Sequence, residues 1–497
     1  MKKIFLFILP VIAAASCTKV LNTQPTDFLA PEYYYNDSTQ VDNALTAVYD
    51  ALQKGNLFTG GDGLLTIYNV TDEMFWGSSG TGPKIYNYTA GDNNDYNMWS
   101  ACYTGISRAN LLLANIGRAD MDSVKRRQAE GEAKFLRAFF YFILVENWGD
   151  VPLISQPVSG VNEVNVPRTS QAEVYDFIVK EMTEAEGMVA PITAYDHAGR
   201  VTQSAVQGVL ARVCLYMAGW PLNDVSKYQD ALTWAQKVIG SGYHELNKSY
   251  GQVFINLVQD LYDTKESIWE VEYWTTGVGD AYKEYAPSLG VTLGVTQTDI
   301  SKGYVAGSYR VHPRLYNLFE ADPYITDTVD HSPDLRRDWN IAPFKYTGNK
   351  APDKTYYKPT QIYDRQPNKF DRIYELTTNK FQSNTGTNLP LLRYSDVLLM
   401  AAEADNEING PTTYAIDLVN QVRRRGYGKL LDGEGVKTIT LDAGGSGYTS
   451  APDVVITGGG GSGATATAVL TGDVVTAIRL TSHGVNYTST PDVVITG

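Results

Sequence analysis

Apolar residues at Phe135, Leu136, Phe139, Phe140, Ile143 and Leu144 recur at helical spacing and form one broad stripe. This pattern predicts a helix buried along that face. Val206, Val209, Leu210, Val213 and Met217 repeat it, following a Thr202 whose hydroxyl suits an N-cap. Further helical patterns cover approximately 41–54, 98–117, 171–189, 228–239, 395–408 and 413–425. Their similar lengths and Gly- or Pro-bearing joints predict paired helices packed in a row, although no 34-residue period is visible. Two long segments, roughly 56–96 and 275–375, lack helical periodicity but hold many Tyr and Trp residues. Segments of that length are functional or disordered as a rule, and their aromatic content argues against disorder.

The tail changes character. Residues 439–458 read ITLDAGGSGYTSAPDVVITG and residues 478–497 read IRLTSHGVNYTSTPDVVITG, with Tyr448 and Tyr487 39 positions apart. From each Tyr to its Gly, ten of eleven positions match. Between the copies, Val, Ile and Leu alternate with polar residues on either side of Gly472-Asp473, which predicts a β-hairpin. The expectation is a small Gly-rich β-repeat module over 429–497. Its repeat pattern is still running at Gly497, so the natural protein is expected to continue beyond it.

The N-terminus carries an address. Lys2 and Lys3 precede the apolar run Ile4–Ile12, and Ala13-Ala14-Ala15-Ser16 leads into Cys17. That run is too short for a membrane span and has the flanks of a secretory signal. The small residues before Cys17 resemble a bacterial lipobox. This resemblance implies cleavage before Cys17 and lipid attachment to it, with residues 1–16 removed and 17–35 acting as a tether. Two or more acyl chains on one residue anchor stably, whereas one does not.

Composition narrows the chemistry. The 497 residues carry a net charge of −14, with 41 basic against 55 acidic side chains, which disfavours nucleic acid as a partner. Three cysteines are too few for a disulfide scaffold, and Cys102 and Cys214 fall in helical patterns as small buried thiols. The five histidines stand apart without a metal-binding motif, and an EF-hand loop begun at Asp92 would need Gly and Glu where Asn97 and Tyr103 stand. No Walker loop, dinucleotide fingerprint or GxSxG is present, so no cofactor is implied. Arg393, Asp396 and Glu403, on or beside one helix, read as a partly buried ion-pair set rather than an acid–base pair. Arg137, Trp148 and the turn Gly149-Asp150 read as structural.

The stretch LRAFFYFILVENWGDVPLI (136–154) resembles the most characteristic segment of the SusD/RagB family of outer-membrane lipoproteins. In the same order follow VPRTSQAEVYDFIVKEM (166–182), GRVTQSAVQGVLARVCLYMAG (199–219), ESIWEVEY (266–273), DLRRDWNI (334–341), LPLLRYSDVLLMAAEADNEI (389–408) and AIDLVNQVRRRGYG (415–428). The resemblance spans roughly 17–428. It implies a mainly α, SusD-like fold with tetratricopeptide-like helix pairs and long irregular loops, its ligand-binding domain covering 36–428. It further implies a non-enzymatic role: binding a glycan or other nutrient beside a SusC-type TonB-dependent transporter, on the cell surface of the outer membrane. After the VRRRGYG helix the family continues into an Arg- and Glu-rich helical segment, where this chain has its β-repeats.

Sugars offer apolar CH faces beside hydroxyls, so a glycan site wants Tyr or Trp platforms flanked by polar side chains. Trp76, Tyr86 and Tyr88 lie in one such mixture, with Lys84, Asn87, Asp92 and Asn93. Trp274, Tyr282 and Tyr285 lie in the other, with Lys283, Tyr304 and Arg310. These six aromatics are the candidate ligand contacts. Trp99 and Tyr103, on a helical face, and Trp269, in a strand-like run, are assigned to the core. Two other functions stay open at this point: an envelope carbohydrate-active enzyme, needing two carboxylates converging in one cleft, and a helical scaffold that binds only protein.

Overall fold

The computed structural model describes residues 34–54, 57–58, 64–87, 89, 91–158, 160, 165–273, 289–321, 332–376, 380, 382, 385–428, 436, 439–485 and 487–496. Helices dominate the described residues up to position 428, and ten of them build the body. They are α1 (Ser38–Asp50), α2 (Asn93–Asn115), α3 (Ser123–Trp148), α4 (Gln171–Glu186), α5 (Gln203–Ala218), α6 (Lys227–Gly240), α7 (Tyr250–Gln259), α8 (Leu335–Asn340), α9 (Tyr394–Asn409) and α10 (Thr413–Gly426). Short strands are interleaved: β1 (Met74–Trp76), β2 (Ser267–Val271), β3 (Tyr309–Val311), β4 (Phe344–Tyr346), β5 (Lys354–Tyr356) and β6 (Leu389–Arg393).

The helix ends follow local chemistry. Asp122 accepts from the Val124 and Lys125 amides at the start of α3, Ser170 and Glu173 close a capping box on α4, and Thr202 caps α5 as its position predicts. Gly149 ends α3 at φ +70°, a conformation a β-carbon would penalise. The run Asp92-Asn93-Asn94-Asp95 starts α2, with Asp92 at the N-cap position and its carboxylate accepting from the Thr89 amide at 2.7 Å.

Each helix packs on its neighbours in a row: α1 on α2, α2 on α3, α3 on α4, α4 on α5, α5 on α6, α6 on α9 and α9 on α10. Two close approaches depend on glycine. A β-carbon at Gly105 would lie 2.2 Å from the Phe140 ring, and one at Gly208 would lie 2.4 Å from Leu392. At the centre, β2 is buried at every position and pairs antiparallel with β6. Trp269, fully buried as its strand-like setting predicts, meets Phe135 and Phe139 of α3 edge-on at 5.1 and 4.8 Å. Buried ion pairs tie the row crosswise. Arg137 donates to Glu181 at 3.0 Å and to Asn110 at 2.7 Å, linking α3 to α4 and α2. Cys102 and Cys214 are buried thiols without a disulfide, and burial pushes both up, Cys214 to about 12. The expected Arg393–Asp396–Glu403 set does not form: Arg393 pairs with Glu266 and Asp396 with Arg212. Arg393 precedes the helix rather than lying on it, so its side chain turns toward β2.

The tail is a four-stranded antiparallel sheet of β7 (Asp453–Thr457), β8 (Ser462–Thr471), β9 (Val474–Val485) and β10 (Asp492–Thr496), in the order β10-β7-β8-β9. The two DVVIT copies pair with each other, Val455 opposite Val494 at the midpoint. β8 and β9 form the hairpin expected at Gly472-Asp473, with Thr471 opposite Val474 and Gly472 at φ +66°.

One buried carboxyl sets a pH dependence. Burial pushes Glu270, 3% exposed on β2, up to about 7, with Glu272 and Asp260 adding to the rise against hydrogen bonds from Ser267 and Asn388. Its folded value therefore lies above its unfolded one. The fold bears no cost from this group in acid, and the cost grows as pH rises through the window from about 4.5 to 7. Glu270→Gln should raise the thermal midpoint at pH 8, by up to about 3 kcal/mol of stability, and leave it nearly unchanged near pH 4.5. Scanning calorimetry of both proteins at the two pH values checks this.

Candidate functional site

The two aromatic segments meet in a ribbon. β1 and β3 pair antiparallel, with Met74 opposite Val311, Phe75 opposite Arg310 and Trp76 opposite Tyr309. The Gly77 amide extends the ladder by donating to Ser308 O at 2.8 Å. The indole of Trp76 meets the buried ring of Tyr309 edge-on at 5.0 Å and donates from Nε1 to Ser79 O at 3.1 Å. Lys84 holds its ammonium 4.5 Å from the Trp76 ring centre. A β-carbon at Gly80 would lie 3.0 Å from Trp76 Cδ1, so the absence of a side chain there lets the 77–82 turn fold against the indole. Trp76 is thus fixed on four sides and half-buried.

Tyr86 follows a single helical turn at Pro83–Ile85 and takes the left-handed conformation at φ 56°. Its hydroxyl donates to the Val70 carbonyl while the residue stays 67% exposed. An exposed ring tethered at its hydroxyl loses little entropy on stacking with a ligand. Arg310 is held by donating to Gly307 O at 2.6 Å and Tyr309 O at 3.0 Å. Of the expected contacts, then, Trp76 and Tyr86 sit on this ribbon and its turn. Cys17, Tyr88, Trp274, Tyr282 and Tyr285 lie outside the described residues.

A second aromatic face was missed in sequence. Tyr96, Trp99 and Tyr103 follow one another along α2 and border a shallow depression of about 470 Å³ with Ser100, Thr104, Ser107 and Arg108. Tyr96 is 66% exposed, while Trp99 and Tyr103 are half-buried rather than the core residues expected. Trp99 contacts Tyr103 at 4.9 Å and Trp148 at 5.5 Å, and Tyr103 donates to Pro152 O at 2.7 Å. The signal was present: hydroxyl residues flank the aromatics on the same turns, which a core stripe would not carry.

Carboxylates do not converge in these places. A cavity of about 580 Å³ has Glu73 as its carboxylate, and a cleft of about 330 Å³ has Glu146, counting described residues. Burial raises the Glu146 carboxyl, opposed by hydrogen bonds from Tyr216 and Tyr68. Glu270, whose carboxyl burial also raises, lies in the core beside neither. Among the described residues no group of His, Cys, Asp and Glu could hold a metal ion, and no helix is long and apolar enough to cross a membrane.

Helical row, buried central strand pair and irregular aromatic loops together define the architecture. The comparisons name it. A family model described as starch-binding and associating with the outer membrane matches residues 22–215, and the SusD family model matches 265–430. The chain belongs to the SusD/RagB family. It is 24% identical over 480 residues to SusD-like protein P25 of Formosa agariphila, covering 89% of this chain and 86% of that protein. A SusD homolog from Bacteroides thetaiotaomicron superposes with a TM-score of 0.69 at 26% identity, over 80% of this chain and 79% of the other. A laminarin-binding SusD-like protein shares the fold with a TM-score of 0.61 at 24% identity, over 79% and 84%.

The residues of the α2 face differ in what they support. Tyr96→Ala should change stability by less than about 0.5 kcal/mol, since its ring is largely in solvent. Tyr103→Ala should cost about 2–4 kcal/mol, through the lost ring contacts and the unpaired Pro152 carbonyl. Urea unfolding of the two variants measures the contrast.

Proposed function

We propose that this chain is a cell-surface lipoprotein that captures a glycan without turning it over and passes it to a SusC-type TonB-dependent transporter. The observation that carries the reading is the β1–β3 ribbon. It joins two segments remote in sequence, holds Trp76 between Lys84 and Tyr309, and leads into the turn that carries the tethered ring of Tyr86. A rigid indole and an exposed phenol suit the CH face of a sugar, and the lysine and backbone amides suit its hydroxyls. The starch-binding description of the matching family model and the laminarin-binding protein of the same fold favour a carbohydrate over a peptide. Lipidation at Cys17 would hold the chain at the outer membrane beside the transporter mouth, with residues 17–35 as tether and 36–428 as the binding domain. The β-repeat module over 429–497 would be a separate unit. Capture for hand-over calls for modest affinity, because release is part of the cycle.

Calorimetric titration of the chain from residue 18 onward against neutral β-glucans, α-glucans and other oligosaccharides, with products followed by chromatography, tests this. Saturable binding without turnover is expected. Trp76→Ala should weaken it by roughly tenfold, as loss of a stacking platform does. Turnover would make the chain an enzyme, and binding indifferent to Trp76→Ala and Tyr86→Ala would move the site off the ribbon.

A further inference from the structure

The inner side of the ribbon faces a cavity that the capture reading leaves unused. It has a volume of about 580 Å³, within the range of roughly 300–1,000 Å³ that suits a small ligand. Met74 and Val311, one from each ribbon strand, line it, and Phe254 and Phe370 supply aromatic wall. Four charged side chains also line it: Glu73, Arg336, Lys369 and Arg393.

The charges around the cavity do not balance. Arg336 is matched by Asp334, with Nε 2.8 Å from Oδ1. Arg393 and Arg425 both donate to the same oxygen of buried Glu266, at 2.9 and 3.2 Å, so two guanidiniums share one carboxylate. Nε of Arg425 is buried without an acceptor. The Lys369 ammonium pairs with no described carboxylate and sits 5.1 Å from the Phe254 ring centre, which Arg393 also approaches at 5.5 Å. Four cations (Arg336, Lys369, Arg393, Arg425) therefore face three anions (Asp334, Glu266, Glu73), and of these Glu73 is exposed. Burial pushes Lys369 down to about 8, Arg393 and Arg425 add to the fall, and Glu73 opposes it. A cation held at that cost beside an open volume wants an anion.

We propose that this cavity receives one carboxylate, that of a uronic acid in an acidic oligosaccharide, between Lys369 and Arg393, with Phe254 and Phe370 against the sugar ring. The proposal rests on the reading of the chain as a glycan binder and adds the class of glycan. The net charge of −14 repels long polyanions, so a short acidic oligosaccharide or a sparsely charged chain is the fitting ligand.

The test titrates the full chain with a short oligogalacturonide and with its methyl ester, which keeps the sugar and removes the charge. The acid should bind roughly tenfold or more tighter than the ester, as a charge-assisted contact in a desolvated site does. Lys369→Met should abolish that preference while Lys369→Arg keeps it, and thermal unfolding should show both variants folded, since Met removes a half-buried cation that pairs with no described carboxylate. Above pH 8, binding of the acid should take up protons as Lys369 recharges. Heats measured in two buffers of different ionisation enthalpy read this, and Lys369→Met should remove it. The groups facing Lys369 from the packed elements are Glu73, Arg336, Arg393 and Arg425.

Equal binding of acid and ester, or a preference that survives Lys369→Met, overturns the proposal. So does binding of free carboxylates or peptide C-termini with equal avidity and no gain from the sugar. Retained binding of neutral glycans, sensitive to Trp76→Ala, would then leave the capture reading standing. Loss of all glycan binding would remove both.

Discussion

Strand β2 has no free face, and the arrangement of the molecule follows from satisfying it. Its indole at Trp269 meets Phe135 and Phe139, it pairs with β6 while the Glu270 amide donates to Ala198 O, and β6 leads straight into α9. Just before it, Glu266 is fully buried and answers both Arg393 and Arg425, so the strand pair is bolted to the last two helices of the row. Removing one partner from such a set leaves an uncompensated buried charge, at a cost of about 3–5 kcal/mol. The glycines at 105 and 208 let α2 approach α3 and α5 approach β6 closely enough for this centre to be filled.

With that centre rigid, the irregular segments can be long and still be ordered where it matters. β1 and β3 are three residues each, too short to persist alone, and they pair because the helical body brings their ends together. Pairing then orders Trp76 against Tyr309 and closes the turn that carries Lys84 and Tyr86. Met74 and Val311, which line the cavity around Lys369, lie on the same ribbon face as Trp76 and Tyr309. Stacking platform and charged pocket thus follow one another along one small element, and a single oligosaccharide that touched both would read shape with one and charge with the other.

Much of the body was legible from the sequence because its signals are local. Periodic apolar stripes such as Phe135–Leu144, the Thr202 cap and the alternation flanking Gly472-Asp473 each name an element within a dozen residues. The pairing of β1 with β3 was not legible, since three-residue strands carry no period and their partner lies far along the chain. The partial exposure of Tyr96, Trp99 and Tyr103 was legible in the hydroxyl residues on the same turns, although an aromatic row at helical spacing by itself resembles a core stripe. Arg393 misled because it immediately precedes a helix, where sequence proximity suggested Asp396 and the fold supplied Glu266. Lys369 gave no sign at all. Its meaning lies in a tally of charges contributed by residues from 73 to 425.

The central claim is that the ribbon and its turn form the face that meets the sugar. Hydrogen–deuterium exchange of the full chain, with and without a saturating oligosaccharide that binds it, tests this most directly. The account predicts added protection over 74–87 and 308–311, with the buried β2–β6 pair unchanged. Protection confined to other surfaces, with 74–87 exchanging as fast as in the free protein, would contradict it.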